Sequence, residues 1–403
     1  MNWTETSTYL KGLLNTLDSV TKPVRIAGFD LDDTLIHCPR TNTRTGVKEK
    51  ARLIDKSIST RIVDLVNKGF LIVIFTNQSS MSSGKFDKNS WRKTVEDLID
   101  VMISNISDGK YYVAVYAAKT HDIHRKPNTG MWDLMKNDIK EEFDMKKVGI
   151  SSKSFFCGDA AGRSTPSLIK SILHPKSKVG DFADTDYKFA LNIGIKFIVP
   201  EEFYEKDREQ DTNIQLHGFN PQEFLDNLSK KKIKYVFKPR KKEMILMIGA
   251  PSSGKSTIAN DLIVPNGYTL ISRDICKTPK KCLAEAEKAA SKGKKIVIDN
   301  TNPDVESRRP YIDIAINNGY KRIRAIVMKT DPEIYKHMNN VRHIVSEGKT
   351  PKISNIVYNV FNKKYIEPAD HENFDKIEYV DFTFDKSLLD DPTFKKAFML
   401  YSE

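Results

Sequence analysis

Phe29-Asp30-Leu31-Asp32-Asp33-Thr34 and Gly249-Ala250-Pro251-Ser252-Ser253-Gly254-Lys255-Ser256-Thr257 are the two stretches of this 403-residue chain whose residue types and spacing could handle phosphate. In the first, carboxylates two positions apart on an extended segment point to the same side. Asp30 can attack phosphorus to form an aspartyl-phosphate, while Asp32 gives a proton to the leaving alkoxide and later takes one from water. The charge between carboxylates and phosphoryl oxygens calls for a hard, oxygen-liganded divalent cation, and Mg²⁺ fits. In the second stretch, backbone N–H groups can wrap the β-phosphate of ATP at a helix amino terminus. Lys255 then reaches the β- and γ-phosphates, and Ser256 ligates Mg²⁺. One chemistry removes a phosphate and the other donates one. They make sense together only on different positions of a substrate or on different substrates, which points to nucleic-acid ends.

Three further stretches continue the first chemistry in order. Phe75-Thr76-Asn77-Gln78-Ser79 closes an apolar run and offers the Thr76 hydroxyl and side-chain amides to a phosphoryl oxygen. Arg125-Lys126-Pro127 supplies in Lys126 a cation for the trigonal-bipyramidal phosphoryl group, which is stabilised mainly by electrostatics. Phe156-Cys157-Gly158-Asp159-Ala160-Ala161-Gly162-Arg163 puts Asp159 after another short strand, as a metal ligand beside Asp30 and Asp32. Alone, Asp-x-Asp-x-Thr could be an acidic strand end. The four stretches in this order match the motifs of the haloacid dehalogenase superfamily of phosphatases.

In the second half, Asp274 of Leu270-Ile271-Ser272-Arg273-Asp274-Ile275 stands about one βα unit beyond Lys255. It can take the proton of an acceptor hydroxyl, or it can be a helix N-cap. Together with Arg125 to Trp132, Gly158 to Arg163 and Asp181 to Asp186, the string Val297-Ile298-Asp299-Asn300-Thr301-Asn302-Pro303-Asp304-Val305-Glu306-Ser307-Arg308-Arg309 resembles the polynucleotide kinase 3′-phosphatase family. The likeness runs from about Val24 to Phe384.

That resemblance implies a bifunctional enzyme that removes 3′-phosphates and phosphorylates 5′-hydroxyls at DNA strand-break ends, with Mg²⁺ and ATP. It places Asp181 and Asp186 near the phosphatase metal, although a helix N-cap and a first-turn acid are equally open for them. It makes Asp299 a support of the catalytic carboxylate or metal shell. Arg308 would face the transferring phosphate or the nucleic acid, and Arg342 would be a lid residue over the nucleotide phosphates. Gly249, Ser253, Gly254, Lys255, Ser256 and Thr257 complete the expected nucleotide site. Two departures stand out: Asp33 occupies a position where the family often has glycine, and Ser252-Ser253 replaces a more glycine-rich loop. About 22 residues precede the first expected strand, which leaves no room for the phosphopeptide-binding module of animal members.

The elements that must position these residues are short β-branched and aromatic runs separated by helical stretches, which predicts parallel βαβ units. The motifs fall just after the strands, at the carboxyl edge where α/β folds bind ligands. The expected class is therefore α/β, a haloacid dehalogenase-like phosphatase domain followed by a P-loop kinase domain, both with mainly parallel sheets. The divisions are an extension over 1–22, the phosphatase domain over 23–229, a basic linker over 230–242 and the kinase domain over 243–403. Eight basic and no acidic residues between Ser229 and Glu243 make that linker either a solvated connection or a nucleic-acid contact.

A net charge of +12 adds a long-range field that attracts polyanions, and it disfavours small-metabolite turnover. Cys38, Cys157, Cys276 and Cys282 form neither a CxxC pair nor a zinc spacing, so reduced thiols are expected. His121 and His124 lack further ligands at metal spacing and read as a loop pair that faces solvent or orients Lys126. No apolar run reaches the roughly 18–20 residues of a bilayer span, and no secretory signal is visible. An intracellular monomer is expected, at the nucleus or another site of DNA repair. The same activities on RNA ends, or a degenerate end-binding scaffold, are the alternatives.

Overall fold

The computed structural model describes residues 1–37, 51–82, 86–164, 180–181, 183–204, 214–228 and 235–402. Cys38 and residues 230–234 of the basic stretch lie outside the described residues. The chain forms two compact units, Met1–Asn220 with Met399–Glu403, and Pro221–Phe398.

The first unit is built on a seven-stranded sheet of β1 (Asn2–Glu5), β2 (Tyr9–Asn15), β3 (Arg25–Phe29), β6 (Phe70–Asn77), β7 (Tyr112–Ala118), β8 (Phe155–Cys157) and β9 (Lys196–Ile198), in the order β1-β2-β7-β6-β3-β8-β9. Two residue pairs, β4 (Ile36–His37) and β5 (Arg52–Leu53), form a separate small ladder. From β7 to β9 the large sheet is parallel. These strands are apolar almost throughout, because helices cover both faces of a parallel sheet; every residue of β7 is buried. The first residues of the chain, set apart in the sequence as an extension, form β1 and β2, an antiparallel ribbon on the free side of β7.

Register brings the motifs together. Phe29 pairs with Ile74 on one side and with Cys157 on the other, and Asp30 N–H donates to the Cys157 carbonyl at 2.8 Å. The residues that follow β3, β6 and β8 therefore share one stretch of carboxyl edge. Two apolar cores, one on each face, hold the three strands rigid.

The second unit has a five-stranded sheet of β10 (Glu243–Ile248), β11 (Tyr268–Ser272), β12 (Lys295–Asp299), β13 (Arg322–Lys329) and β14 (Lys376–Asp381). It is wholly parallel, in the order β11-β12-β10-β13-β14. Met247 pairs with Asp299 and Ser272 pairs with Asp299, so the ends of β10, β12 and β11 lie side by side. Residues 235–240 of the basic stretch pack on this unit. Tyr235 donates to Glu378 at 2.6 Å, Arg324 donates to the Lys238 carbonyl at 3.0 Å, and Phe237 joins the core beneath Ile245 and Met247.

Candidate active sites

In the first unit, Lys126 is almost fully buried, with Nζ 2.6 Å from Asp30 and 2.7 Å from Asp186. Its placement comes from Asn77 at the end of β6. The side chain of Asn77 accepts from Lys126 N–H at 2.9 Å and donates to the Lys126 carbonyl at 3.1 Å. The Asn77 amide therefore grips the loop rather than a phosphoryl oxygen. Gln78 donates to Asp32 at 2.5 Å and to Thr76 Oγ1 at 3.0 Å. Asp30, Asp32, Thr76, Lys126 and Asp159 all line one cavity of about 650 Å³, with Arg125 and Asp186.

Carboxylate oxygens of Asp30, Asp159 and Asp186 lie within 4.8 Å of one another. Burial, with Asp186 and Asp32 nearby, pushes the Asp30 carboxyl up to about 8 against the pull of Lys126. Burial, followed by Asp186, Asp30 and Asp33, holds Asp159 well above the carboxylate range. Lys126 stays above the usual lysine value despite its burial, because Asp186 and Asp30 face it. One ammonium cannot balance three converging carboxylates, so these hard oxygen donors suit a divalent cation. The cluster contains Asp30 and Asp159 as expected, with Asp186 in the third position; the Asp32 carboxylate is held by Gln78 instead.

Gly158 makes room for this arrangement, since a Cβ there would stand 2.5 Å from Asp186 Oδ2. Asp186 sits in the first turn of the helix Thr185–Ile193, which Asp184 precedes without a capping hydrogen bond, and accepts from Ala160 N–H at 3.1 Å. Asp181 lies near the cluster, where its carboxylate helps raise Asp159, but it is not one of the three converging carboxylates. It forms a bidentate pair with Arg163 at 2.7 and 3.1 Å and accepts from Arg163 N–H at 3.0 Å, tying the loop after β8 together. Asp33 adopts φ 55°, the left-handed conformation that explains glycine at this position and that aspartate tolerates. His124 pairs with Asp122 at 3.3 Å and packs on Tyr9.

In the second unit, Gly254 caps the helix Lys255–Ile258 with φ 94°. Ser252 takes φ 61°, so the serine-rich loop adopts a conformation that glycine adopts more easily. Ser253, Gly254, Lys255, Ser256, Thr257 and Arg342 line a cavity of about 510 Å³ whose other wall is apolar, with Met328, Met338, Phe382 and Phe384. Gly249 lies in the same loop, beside a neighbouring cavity.

Lys255 Nζ donates to the Ala250 carbonyl at 2.6 Å, and burial lowers its ammonium to about 8 against the opposing pull of Asp299 and Asp274. Ser253 Oγ is buried with no hydrogen-bond partner among the described residues, as suits a cradle for an anion. Ser256 donates to Asp299 Oδ2 at 2.6 Å, while Asp299 Oδ1 is a buried atom with no hydrogen-bond partner among the described residues. Burial raises the Asp299 carboxyl. This Ser–Asp pair fits a divalent cation beside bound phosphates.

Asp274 is exposed in the short helix Arg273–Cys276 and is not its cap. Ser272 caps that helix by accepting from Ile275 N–H, which leaves the Asp274 carboxylate free of the N-cap role. Asn300 Oδ1 accepts from Arg273 N–H at 2.9 Å and so fixes the helix against the end of β12. Arg308 departs from expectation. It is completely buried, pairs bidentately with Glu372 at 2.8 Å through Nε and through Nη2, and donates to the carbonyls of Asn302, Pro303 and Ile366. Its guanidinium is held wholly among these buried partners and reaches no solvent.

Sequence reasoning passed over Gln78 and Asn77 as positioning residues. The signal available was that both follow Thr76 directly. The family model for polynucleotide kinase 3 phosphatase matches residues 25–204. A protein of Acanthamoeba polyphaga mimivirus, provisionally named a bifunctional polynucleotide phosphatase/kinase, is 53% identical over 100% of this chain and 95% of its own length. The bifunctional polynucleotide phosphatase/kinase of Schizosaccharomyces pombe is 32% identical over 90% of this chain and 80% of its own. The polynucleotide 3′-phosphatase ZDP of Arabidopsis thaliana is 30% identical over 46% of this chain and 25% of its own length. Two phosphate-handling sites in two α/β units, aligned end to end with relatives of this kind, place the chain in the bifunctional polynucleotide phosphatase/kinase family.

Proposed function

We infer that this chain prepares both termini of a DNA strand break for ligation, removing 3′-phosphates in its first unit and phosphorylating 5′-hydroxyls with ATP in its second. The observation that carries it is the coexistence on one chain of a buried carboxylate–lysine cluster and a phosphate loop with a nearby exposed carboxylate.

In the phosphatase, Asp30 attacks phosphorus, the P–O bond to the 3′-oxygen breaks, and Asp32 gives that oxygen its proton. Asp32 then takes a proton from water, whose oxygen attacks the aspartyl-phosphate, releasing inorganic phosphate and restoring Asp30. Lys126 and Thr76 neutralise and orient the phosphoryl oxygens. A divalent cation, here proposed as Mg²⁺ held by Asp30 and Asp159 with Asp186, supplies charge neutralisation when bound.

In the kinase, the loop from Gly249 to Thr257 cradles the ATP phosphates with Lys255, and Arg342 covers them. Phe382 and Phe384, which line the same cavity, would receive the base. Asp274 takes the proton of the 5′-hydroxyl as that oxygen attacks the γ-phosphorus. Ser256 and Asp299 would hold the nucleotide's Mg²⁺.

An assay on end-labelled oligonucleotides reporting 3′-phosphate loss and 5′-phosphate gain together tests this assignment. Asp30→Asn should abolish the first and spare the second, whereas Lys255→Ala or Asp274→Asn should do the reverse. If a substitution in either half silenced both activities in a folded protein, the two-site assignment would fail. Matched RNA strands turned over faster than DNA would move the substrate to RNA ends.

A further inference from the structure

The loop that carries Lys126 is held from behind by a segment from the far end of the chain. Asn192, near the end of the helix Thr185–Ile193, donates to the Pro127 carbonyl at 2.8 Å and to the Tyr401 carbonyl at 2.9 Å. Its Oδ1 accepts from Tyr401 N–H at 2.8 Å. Both amide hydrogens and the carbonyl of Asn192 are thus engaged, one toward the catalytic loop and two toward the segment Met399–Ser402.

One turn earlier on the same helix, Lys188 is fully buried. It donates to the carbonyls of Ser402 at 2.9 Å and His217 at 2.5 Å, and it pairs with Asp184 at 3.0 Å. Leu400 and Ser402 are themselves buried in this unit, to which Met399–Glu403 belongs. The helix that receives the segment also carries Asp186, 2.7 Å from Lys126.

We propose that Met399–Ser402 is a positioning element of the phosphatase site, acting through Asn192 to hold the Lys126-Pro127 loop at its working distance from Asp30. The proposal rests on the assignment of Lys126 to the phosphatase reaction. An ammonium that must lie within hydrogen-bond reach of its carboxylate is sensitive to small displacements, and a shift of about 1 Å can cost on the order of a hundredfold in rate. The segment contributes two carbonyls and one N–H, all from its backbone, so its effect does not depend on the Tyr401 ring.

Two full-length variants test it. Tyr401→Pro removes the N–H that Asn192 accepts, and Asn192→Leu removes the link from the other side. Each should lower phosphatase kcat roughly tenfold with KM for a 3′-phosphate oligonucleotide and the 5′-kinase rate both within about twofold. The double variant should be no slower than about the worse single, because both changes break one linkage. The proposal is overturned if either variant keeps the parent phosphatase kcat, if the losses multiply in the double, or if kinase activity falls in parallel. Lys126→Ala probes the underlying assignment separately: a phosphatase that survives it removes Lys126 from the reaction whatever the segment does.

Discussion

Gln78 Nε2 donates to Asp32 Oδ2 at 2.5 Å, so an amide at the end of one motif aims the carboxylate of another, the one proposed to transfer the proton. The same nitrogen also reaches Thr76 Oγ1, and both bonds are lost together in Gln78→Leu. Phosphatase kcat should fall roughly 10²-fold in that variant, the scale on which a misdirected acid–base group acts, with the kinase unchanged. A variant with the parent kcat would show that Asp32 is aimed by something else.

Gly158→Ala should abolish phosphatase activity. The added methyl would lie 2.5 Å from Asp186 Oδ2 and 2.6 Å from its Cβ, so the helix carrying Asp186 must retreat from Lys126. Overpacking of this kind costs about 1–3 kcal/mol, which unfolding of the first unit in denaturant would register. Full activity in this variant would mean that Asp186 need not hold its observed place.

The buried carboxyls give the first unit a pH-dependent stability whose sign follows from their raised values. Asp30, pushed by burial up to about 8, and Asp159, raised by burial and then by its acidic neighbours, bind protons in the folded state that the unfolded chain releases near 4. Their contribution is full at pH below about 4 and is lost as pH rises through about 8. A divalent cation replaces those protons. Thermal midpoints measured with and without Mg²⁺ should therefore diverge more at pH 8 than at pH 6; an equal increment at both would contradict proton uptake by this cluster.

Arg308→Ala should act on stability rather than chemistry. Removing one partner of a buried bidentate pair leaves Glu372 uncompensated, at a cost of about 3–5 kcal/mol. Arg308→Met with Glu372→Leu should recover much of that loss, and the refolded double variant should phosphorylate 5′-ends. A single variant of unchanged thermal midpoint but lost kinase turnover would return Arg308 to the reaction.

The motif residues were legible in the sequence because phosphate chemistry restricts residue type and spacing over a few positions: Asp30 with Asp32, Lys255 with Ser256. The strands that carry them were legible for a similar reason, since a parallel sheet covered on both faces demands unbroken apolar runs such as Phe70–Phe75. The ribbon of β1 and β2 and the edge strand β14 were not recognised, because half-exposed strands carry a weaker pattern.

What only the tertiary structure decided is which polar groups meet across long separations. Asp186 rather than Asp181 joins the carboxylate cluster, because Arg163 satisfies Asp181 first. Arg308, which the resemblance set facing the transferring phosphate or the nucleic acid, turns inward to Glu372, 64 residues away. Asn192 meets Tyr401 across 209 residues. Local sequence fixes the identity of a donor, but its acceptor is chosen by whichever buried group the fold leaves within 3 Å or so and without water, and that choice is not written at any one position.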